Sequence, residues 1–202
     1  MSLIELLRHG ETEHGGGFRG SLDDALTSAG WRQMQCSIQN AGPWDVLVTS
    51  PLQRCAAFAR VLADERRLPL EVHADLRELH FGEWEGRSAA ELMETAPDDL
   101  GHFWRDPYRF TPPGGETLAA FERRVLGAMA ELYGRHAGRR LLLITHAGVM
   151  RLLLARAQGL PRERLLEVVV GHGELHRLGD VAMCRPDQAC GPSQKGVARC
   201  KH

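Results

Sequence analysis

Leu3-Ile4-Glu5-Leu6-Leu7-Arg8-His9-Gly10-Glu11-Thr12 is the stretch that decides the fold. Its first residues are almost wholly apolar and give way at once to two basic side chains and a glycine. A strand this apolar needs burial on both faces, as in a parallel sheet covered by helices, so its polar end marks where the chain leaves the sheet. Ligands of open α/β sheets sit outside the carboxyl ends of the strands, which puts Arg8 and His9 at a prospective site. Gly10 is expected to let the backbone approach a ligand there.

Two further strands end in the same way. Asp45-Val46-Leu47-Val48-Thr49 runs into Ser50-Pro51, read as an N-cap with proline at the first helical position, and this sets Arg54 on the first turn of the helix. Leu141-Leu142-Leu143-Ile144-Thr145 delivers His146-Ala147-Gly148 into a helix expected over 149–158. Between these strands the apolar spacing turns helical. Thr27 is a cap for a helix burying Trp31, Met34, Ile38 and Ala41, and Leu118, Phe121, Val125, Ala128 and Leu132 mark one face of a long helix that leaves Arg123 and Arg124 off it. Short helices are expected near 89–94 and 98–104, short strands at 71–73 and 174–178, and an irregular acidic and aromatic segment over 76–86. Strand and helix alternate, so the class is α/β.

The chain has 202 residues, 43% hydrophobic and 25% charged, enough for one sizeable core. A formal net charge of −1 gives no global field for nucleic acid or an anionic membrane, so an anion must be bound locally. No basic segment precedes a long apolar run at the amino terminus, and runs such as Leu141 to Ile144 are far short of a membrane span, so a cytoplasmic protein is expected. Five cysteines, Cys36, Cys55, Cys184, Cys190 and Cys200, without a secretory signal point to reduced thiols. A folded unit over 1–180 with a weakly ordered tail over 181–202 is the expected organisation, because apolar periodicity ends near Gly179. A homodimer is compatible with it.

Parallel strands joined by helices bring their carboxyl ends to one edge, so Arg8, His9, Arg54 and His146 should converge. Forked guanidinium donors and imidazoles fit a tetrahedral dianion, and phosphoryl transfer is mostly positioning and charge stabilisation. Imidazole is also a competent nucleophile, with His9 the stronger candidate beside Arg8. A carboxylic acid must protonate the departing alkoxide. Glu78 is the choice, against Glu83 and Glu85 in the same segment. Metal binding by His9, His146 and Glu78 is the rival chemistry, disfavoured by the guanidinium neighbours and the absence of HExxH or CxxC spacing, and no metal or other cofactor is expected. A zinc site of Cys184, Cys190, Cys200 and His202 is the weaker rival beside a disordered tail. Gly15, Arg19, Glu83 and Trp84 are candidate substrate contacts, although Trp84 and Phe81 are read first as packing under the loop and only second as stacking on a substrate. Trp104, Arg105 and Tyr108 are further residues for a substrate mouth, and His172 and His176 are assigned to structure.

Arg8-His9-Gly10-Glu11-Thr12, Thr49-Ser50-Pro51-Leu52-Gln53-Arg54, Glu78 with Phe81-Gly82-Glu83-Trp84-Glu85-Gly86, Gly114-Gly115-Glu116-Thr117 and Thr145-His146-Ala147-Gly148 together resemble the histidine phosphatase, or phosphoglycerate mutase-like, superfamily. The resemblance implies a three-layer α/β/α sandwich around a mostly parallel central sheet. It also implies a metal-independent phosphomonoesterase that forms a phosphohistidine at His9. Arg8, Arg54, His146 and Ala147 would hold the phosphoryl group, and Glu78 would act as proton donor and then as base for water. Within the superfamily the compact length, the aromatic turn and the Gly-Gly-Glu-Thr loop look most like the α-ribazole phosphatase branch, which acts in cobalamin lower-ligand assembly. A broad-specificity sugar or small-metabolite phosphatase, a mutase and a noncatalytic phosphate-binding domain are the alternatives. A mutase needs a longer, more basic insertion than 86–113 provides. Two positions depart from the family pattern. Gly15 stands where an asparagine usually helps to hold phosphate, leaving glycine-loop amides as an anion nest, and Phe58 replaces a threonine with only local repacking expected.

Overall fold

Strand β1 (Leu3–Arg8) pairs in parallel with β4 (Arg140–Thr145), Arg8 opposite Thr145, and β2 (Val46–Thr49) pairs in parallel with β4, Thr49 opposite Ile144. These registers bring three strand ends level, so the residues that follow each strand leave the sheet side by side. The computed structural model, which describes residues 3–178, completes the sheet with β3 (Leu70–Val72) and β5 (Leu175–Leu178) in the order β3-β2-β4-β1-β5. Only β5, at the edge beside β1, runs antiparallel.

Six helices cover the sheet: α1 (Ser28–Ile38), α2 (Gln53–Arg66), α3 (Ala89–Thr95), α4 (Pro97–Arg105), α5 (Leu118–Arg135) and α6 (Ala147–Ala157). Side chains alternate across a strand, and the two cores follow that alternation. Leu7, Leu47, Leu142 and Ile144 face Met34, Ile38, Phe58 and Leu62 of α1 and α2. Ile4, Leu6, Val46, Val48, Leu141 and Leu143 face Phe121, Val125, Met129, Met150 and Leu153 of α5 and α6. The architecture is therefore the three-layer α/β/α sandwich. Glu5, the one acid of β1, is buried on the α1 side, where the Trp44 indole Nε1 donates to its carboxylate at 2.7 Å. Phe58 packs against Trp31 with ring centroids 5.4 Å apart.

Two expectations need correction. The helix carrying Arg54 begins at Gln53 rather than Pro51, and Ser50 does not cap it. Its cap comes from another segment, since the Asp23 carboxylate accepts from the Gln53 amide at 2.6 Å. Gly10 is small for a different reason from the one expected: a β-carbon there would lie 2.1 Å from the Gly30 carbonyl oxygen of α1. The tail over 181–202, with the three cysteines and His202 of the zinc reading, lies outside the described residues. Among those described, no helix is long and apolar enough to cross a membrane.

Candidate active site

At the level carboxyl edge, the His9 amide donates to the Thr145 carbonyl (2.9 Å) and the Ser50 amide to the Ile144 carbonyl (3.1 Å), extending the ladder one residue past each strand. His9 and His146 thereby meet, their ring centroids 5.3 Å apart. The His9 Nδ1 lies 2.8 Å from the Gly10 carbonyl, an acceptor only, so Nδ1 carries the proton. The lone pair is left on Nε2. His146 is fixed in the corresponding way: Arg54 Nε donates to its Nδ1 at 3.2 Å, which puts the proton on Nε2, 2.8 Å from the Ser50 hydroxyl.

Arg54 is fully buried beneath the pair. Its Nη2 donates to the Gly20 carbonyl at 2.8 Å and its Nη1 to that of Leu22, so it also ties down the loop after β1. Arg8 Nη1 donates to the Val170 carbonyl at 2.7 Å and Nη2 to His172 Nε2 at 2.9 Å. Its Nε is buried without a hydrogen-bond partner, a donor still available to an anion. Burial, chiefly, lowers Arg8 to about 10, so it stays charged at neutral pH.

Glu78 reaches the same spot from the irregular segment before α3. One carboxylate oxygen accepts from the Gly148 amide in the first turn of α6 (3.0 Å), the other from the Leu79 amide (3.0 Å). Any side chain at Gly148 would displace it, because a β-carbon there would lie 2.3 Å from Glu78 Oε1. Glu83 and Glu85, the competing acids, lie elsewhere: Glu83 is exposed, and Glu85 binds Ser21 and the Phe81 amide.

A cavity of about 490 Å³ opens over this group, lined at its base by Arg8, His9, Arg54, Glu78 and Ala147. Of the expected substrate contacts, Gly15 and Arg19 line it, and so does Trp104. Glu83 and Trp84 do not. Trp84 is buried in the core, stacked on Phe110 with centroids 5.7 Å apart and met edge-on by Phe18 and Phe103, so three rings enclose the indole. Arg105 and Tyr108 are also outside the lining, Tyr108 donating to Glu122 at 3.1 Å. The Gly15 amide is donated to the Thr12 carbonyl (3.1 Å), so that donor is taken in the nest expected of the glycine loop.

The sequence reading missed Ser50, Arg151 and His172 as neighbours of the site. His172 lines the cavity with its ring 5.7 Å from that of His9, and burial followed by Arg8 lowers it to about 4, leaving a neutral acceptor for the Arg8 guanidinium. Its glycine neighbours and the edge strand after it carry no periodic signal. Ser50 did have one, since it directly follows a strand and lies level with Arg8, one residue before His9. Cys55 sits behind His146, its sulfur 3.7 Å from Nε2, and burial pushes the thiol up to about 12.

Burial, then Arg54 and Arg8, hold His9 well below the usual imidazole value, and burial, then Arg54 and His9, do the same for His146. The unfolded chain regains ordinary imidazoles near 6.5, so below that pH it takes up protons that the folded chain refuses. The stability these groups contribute is therefore present above about pH 6.5 and lost as pH falls below it, at about 1.4 kcal/mol per unit for each histidine. Urea unfolding should show the protein weaker at pH 5.5 than at pH 7.5, with His9, His146 and, less strongly because it is more exposed, His172 all contributing, and His146→Gln should remove one histidine's share, about 1 kcal/mol. An unchanged difference in the variant would contradict the neutral assignment.

The histidine phosphatase superfamily (branch 1) model matches residues 4–180. The adenosylcobalamin/alpha-ribazole phosphatase of Escherichia coli (strain K12) is 31% identical over 172 residues, covering 83% of this chain and 85% of that protein. A glucosyl-3-phosphoglycerate phosphatase of Mycolicibacterium vanbaalenii is 32% identical over 169 residues, 78% of this chain and 75% of that protein. Among solved structures, the alpha-ribazole phosphatase from Shigella flexneri superposes with a TM-score of 0.75 at 30% identity, covering 87% of this chain and 89% of the other. A match that runs from the strand bearing His9 to the one following His172 means that the chain belongs to the histidine phosphatase superfamily and is a phosphatase.

Proposed function

We propose that the chain hydrolyses a phosphomonoester whose alcohol carries a flat, uncharged aromatic group, as α-ribazole 5′-phosphate does, through a phosphohistidine at His9. In the first step the His9 Nε2 lone pair attacks phosphorus, forming an N–P bond as the P–O ester bond breaks. Arg8, Arg54 and the Ala147 amide at the α6 N-terminus hold the phosphoryl oxygens, joined by His146 when its Nε2 proton turns from the Ser50 hydroxyl to the anion, and protonated Glu78 gives its proton to the departing alkoxide. In the second, Glu78 takes a proton from water as the water oxygen bonds to phosphorus and the N–P bond breaks, releasing phosphate and the neutral imidazole.

The observation that carries the substrate class is the outer wall of the cavity. Above its cationic floor it is lined by Phe18, Phe81, Phe103, Trp104, Pro107 and Leu166. Of its outer cations, Arg19 is paired with buried Asp24, Nε to the carboxylate at 2.6 Å, and Arg151 gives its Nε to the Val168 carbonyl at 3.0 Å. Such a wall favours an aromatic leaving group over the second phosphate that a mutase must hold. The similarity to proteins named alpha-ribazole phosphatases points the same way.

Comparing kcat/KM for α-ribazole 5′-phosphate, glucosyl-3-phosphoglycerate, 3-phosphoglycerate and glucose phosphates tests the reading. Burial of one aromatic system is worth on the order of 2 kcal/mol, so α-ribazole 5′-phosphate should exceed the polar substrates by about 10 to 100-fold. Equal or higher efficiency with glucosyl-3-phosphoglycerate would transfer the proposal to a sugar-ester phosphatase.

A further inference from the structure

The Gly114-Gly115-Glu116-Thr117 loop is the one sequence motif that the reaction above leaves without a part, and its acid leads to an arginine outside the cavity. Glu116 grips Arg124 of α5 in a two-point contact, receiving Nε and Nη2 at 2.8 Å each. The remaining donors of Arg124 all point at the backbone that precedes and includes Glu78. Nη1 reaches the carbonyls of Asp75 (2.7 Å) and Arg77 (2.8 Å), and Nη2 that of Glu78 (2.9 Å). All five N–H groups of one guanidinium are thereby used. The fourth carbonyl of the segment, Leu76, accepts from the Thr145 hydroxyl at 2.9 Å, one residue before His146.

We propose that Arg124, held by Glu116, is the positioning residue for Glu78. The argument is one of accounting. Glu78 lies on neither a helix nor a strand, so no regular hydrogen-bond ladder fixes its α-carbon. Its carboxylate is aimed by the Leu79 and Gly148 amides, but aiming works only if the backbone stays where Arg124 and Thr145 hold it. Arg124 also lies over the Phe121 ring, 4.8 Å from its centroid, and Phe121 lines the cavity, so the clamp is packed from below as well as bonded from above. An ammonium in place of the guanidinium has three donors and no planar fork, and cannot span Glu116 and three carbonyls at once. A shift of about 1 Å in a proton donor costs on the order of 10²-fold, and that loss should fall on the step in which the donor acts.

The inference rests on the reading of Glu78 as the acid, and the experiment separates the two. Turnover is measured with an alkyl phosphate, whose alkoxide needs a proton, and with p-nitrophenyl phosphate, whose phenolate leaves unaided. Glu78→Gln alone checks the acid: about 10²-fold or more lost on the alkyl ester and only a few-fold on the aryl ester is expected, and equal losses would end that assignment. Given that split, Arg124→Lys should lose about 30-fold on the alkyl ester and no more than about 3-fold on the aryl ester, and should cost less than about 2-fold when added to Glu78→Gln. Glu116→Gln, a milder disturbance of the same clamp, should show the same leaving-group bias at about 5-fold, and it decides the matter if Arg124→Lys fails to fold. Equal losses on both esters, or losses that multiply with Glu78→Gln, would overturn the proposal and leave Arg124 with a purely architectural part.

Discussion

His9→Ala is expected to lower phosphate release by at least about 10⁴-fold and to abolish labelling of the protein by a ³²P-phosphomonoester, trapped by denaturation at alkaline pH where an N–P bond survives, because the nucleophile cannot be replaced from within the site. The His146 Nε2 proton is directed at Ser50 and its Nδ1 is occupied by Arg54. The His172 ring stands 5.7 Å away with Nε2 bound to Arg8. Neither presents a free nitrogen lone pair to a phosphorus atom seated between Arg8 and Arg54. Labelling that persists in His9→Ala at wild-type level would refute the assignment outright. Loss of labelling with turnover kept would point instead to direct attack by water.

Arg54→Lys is expected to have the next largest effect, a fall in kcat/KM on the order of 10³-fold, seen alike with alkyl and aryl esters because it acts on the phosphoryl group and not on the leaving group. The wild-type guanidinium is fully buried and simultaneously holds His146 and the carbonyls of Gly20 and Leu22. A lysine there has too few donors to keep the loop, orient the imidazole and face the anion together. Binding of inorganic phosphate or vanadate, measured by calorimetry, should weaken in parallel. A variant that retains activity within about tenfold would show that Arg54 serves the loop and not the phosphoryl group.

Much of this site was legible because the strands announce their own ends. In β1, β2 and β4 an apolar run stops abruptly at a polar residue, and the parallel pairing that such runs require carries those residues to one edge whatever lies between them. Arg8, His9 and His146 could therefore be placed from local sequence. What could not be read depended on groups distant in the chain. Ser50-Pro51 looked like a helix start, yet the Asp23 carboxylate supplies the cap and the helix begins at Gln53. Glu83 was a candidate contact that the cavity leaves out, and Trp84, read first as packing and second as a contact, could not be settled from sequence because whether a ring faces inward or outward in an irregular segment is decided by Phe18, Phe103 and Phe110 around it. Arg124 was read as lying off the apolar face of its helix, and no periodicity reports that a charged side chain is answering the carbonyls of a loop 47 to 49 residues earlier.

The position of β1, flanked by β4 on one side and antiparallel β5 on the other, also limits how the proposed reaction can proceed. The main chain at the nucleophile is stitched from both directions: Arg8 donates to the Glu174 carbonyl, His9 to that of Thr145, and the His9 carbonyl receives Gly173. The clamp around Glu78 pins the opposite end of the reaction path in the same manner. In the proposed reaction, with donor acid and acceptor nitrogen both anchored by hydrogen bonds to the main chain, phosphorus is the atom that travels, passed from oxygen to nitrogen and on to water between two fixed posts.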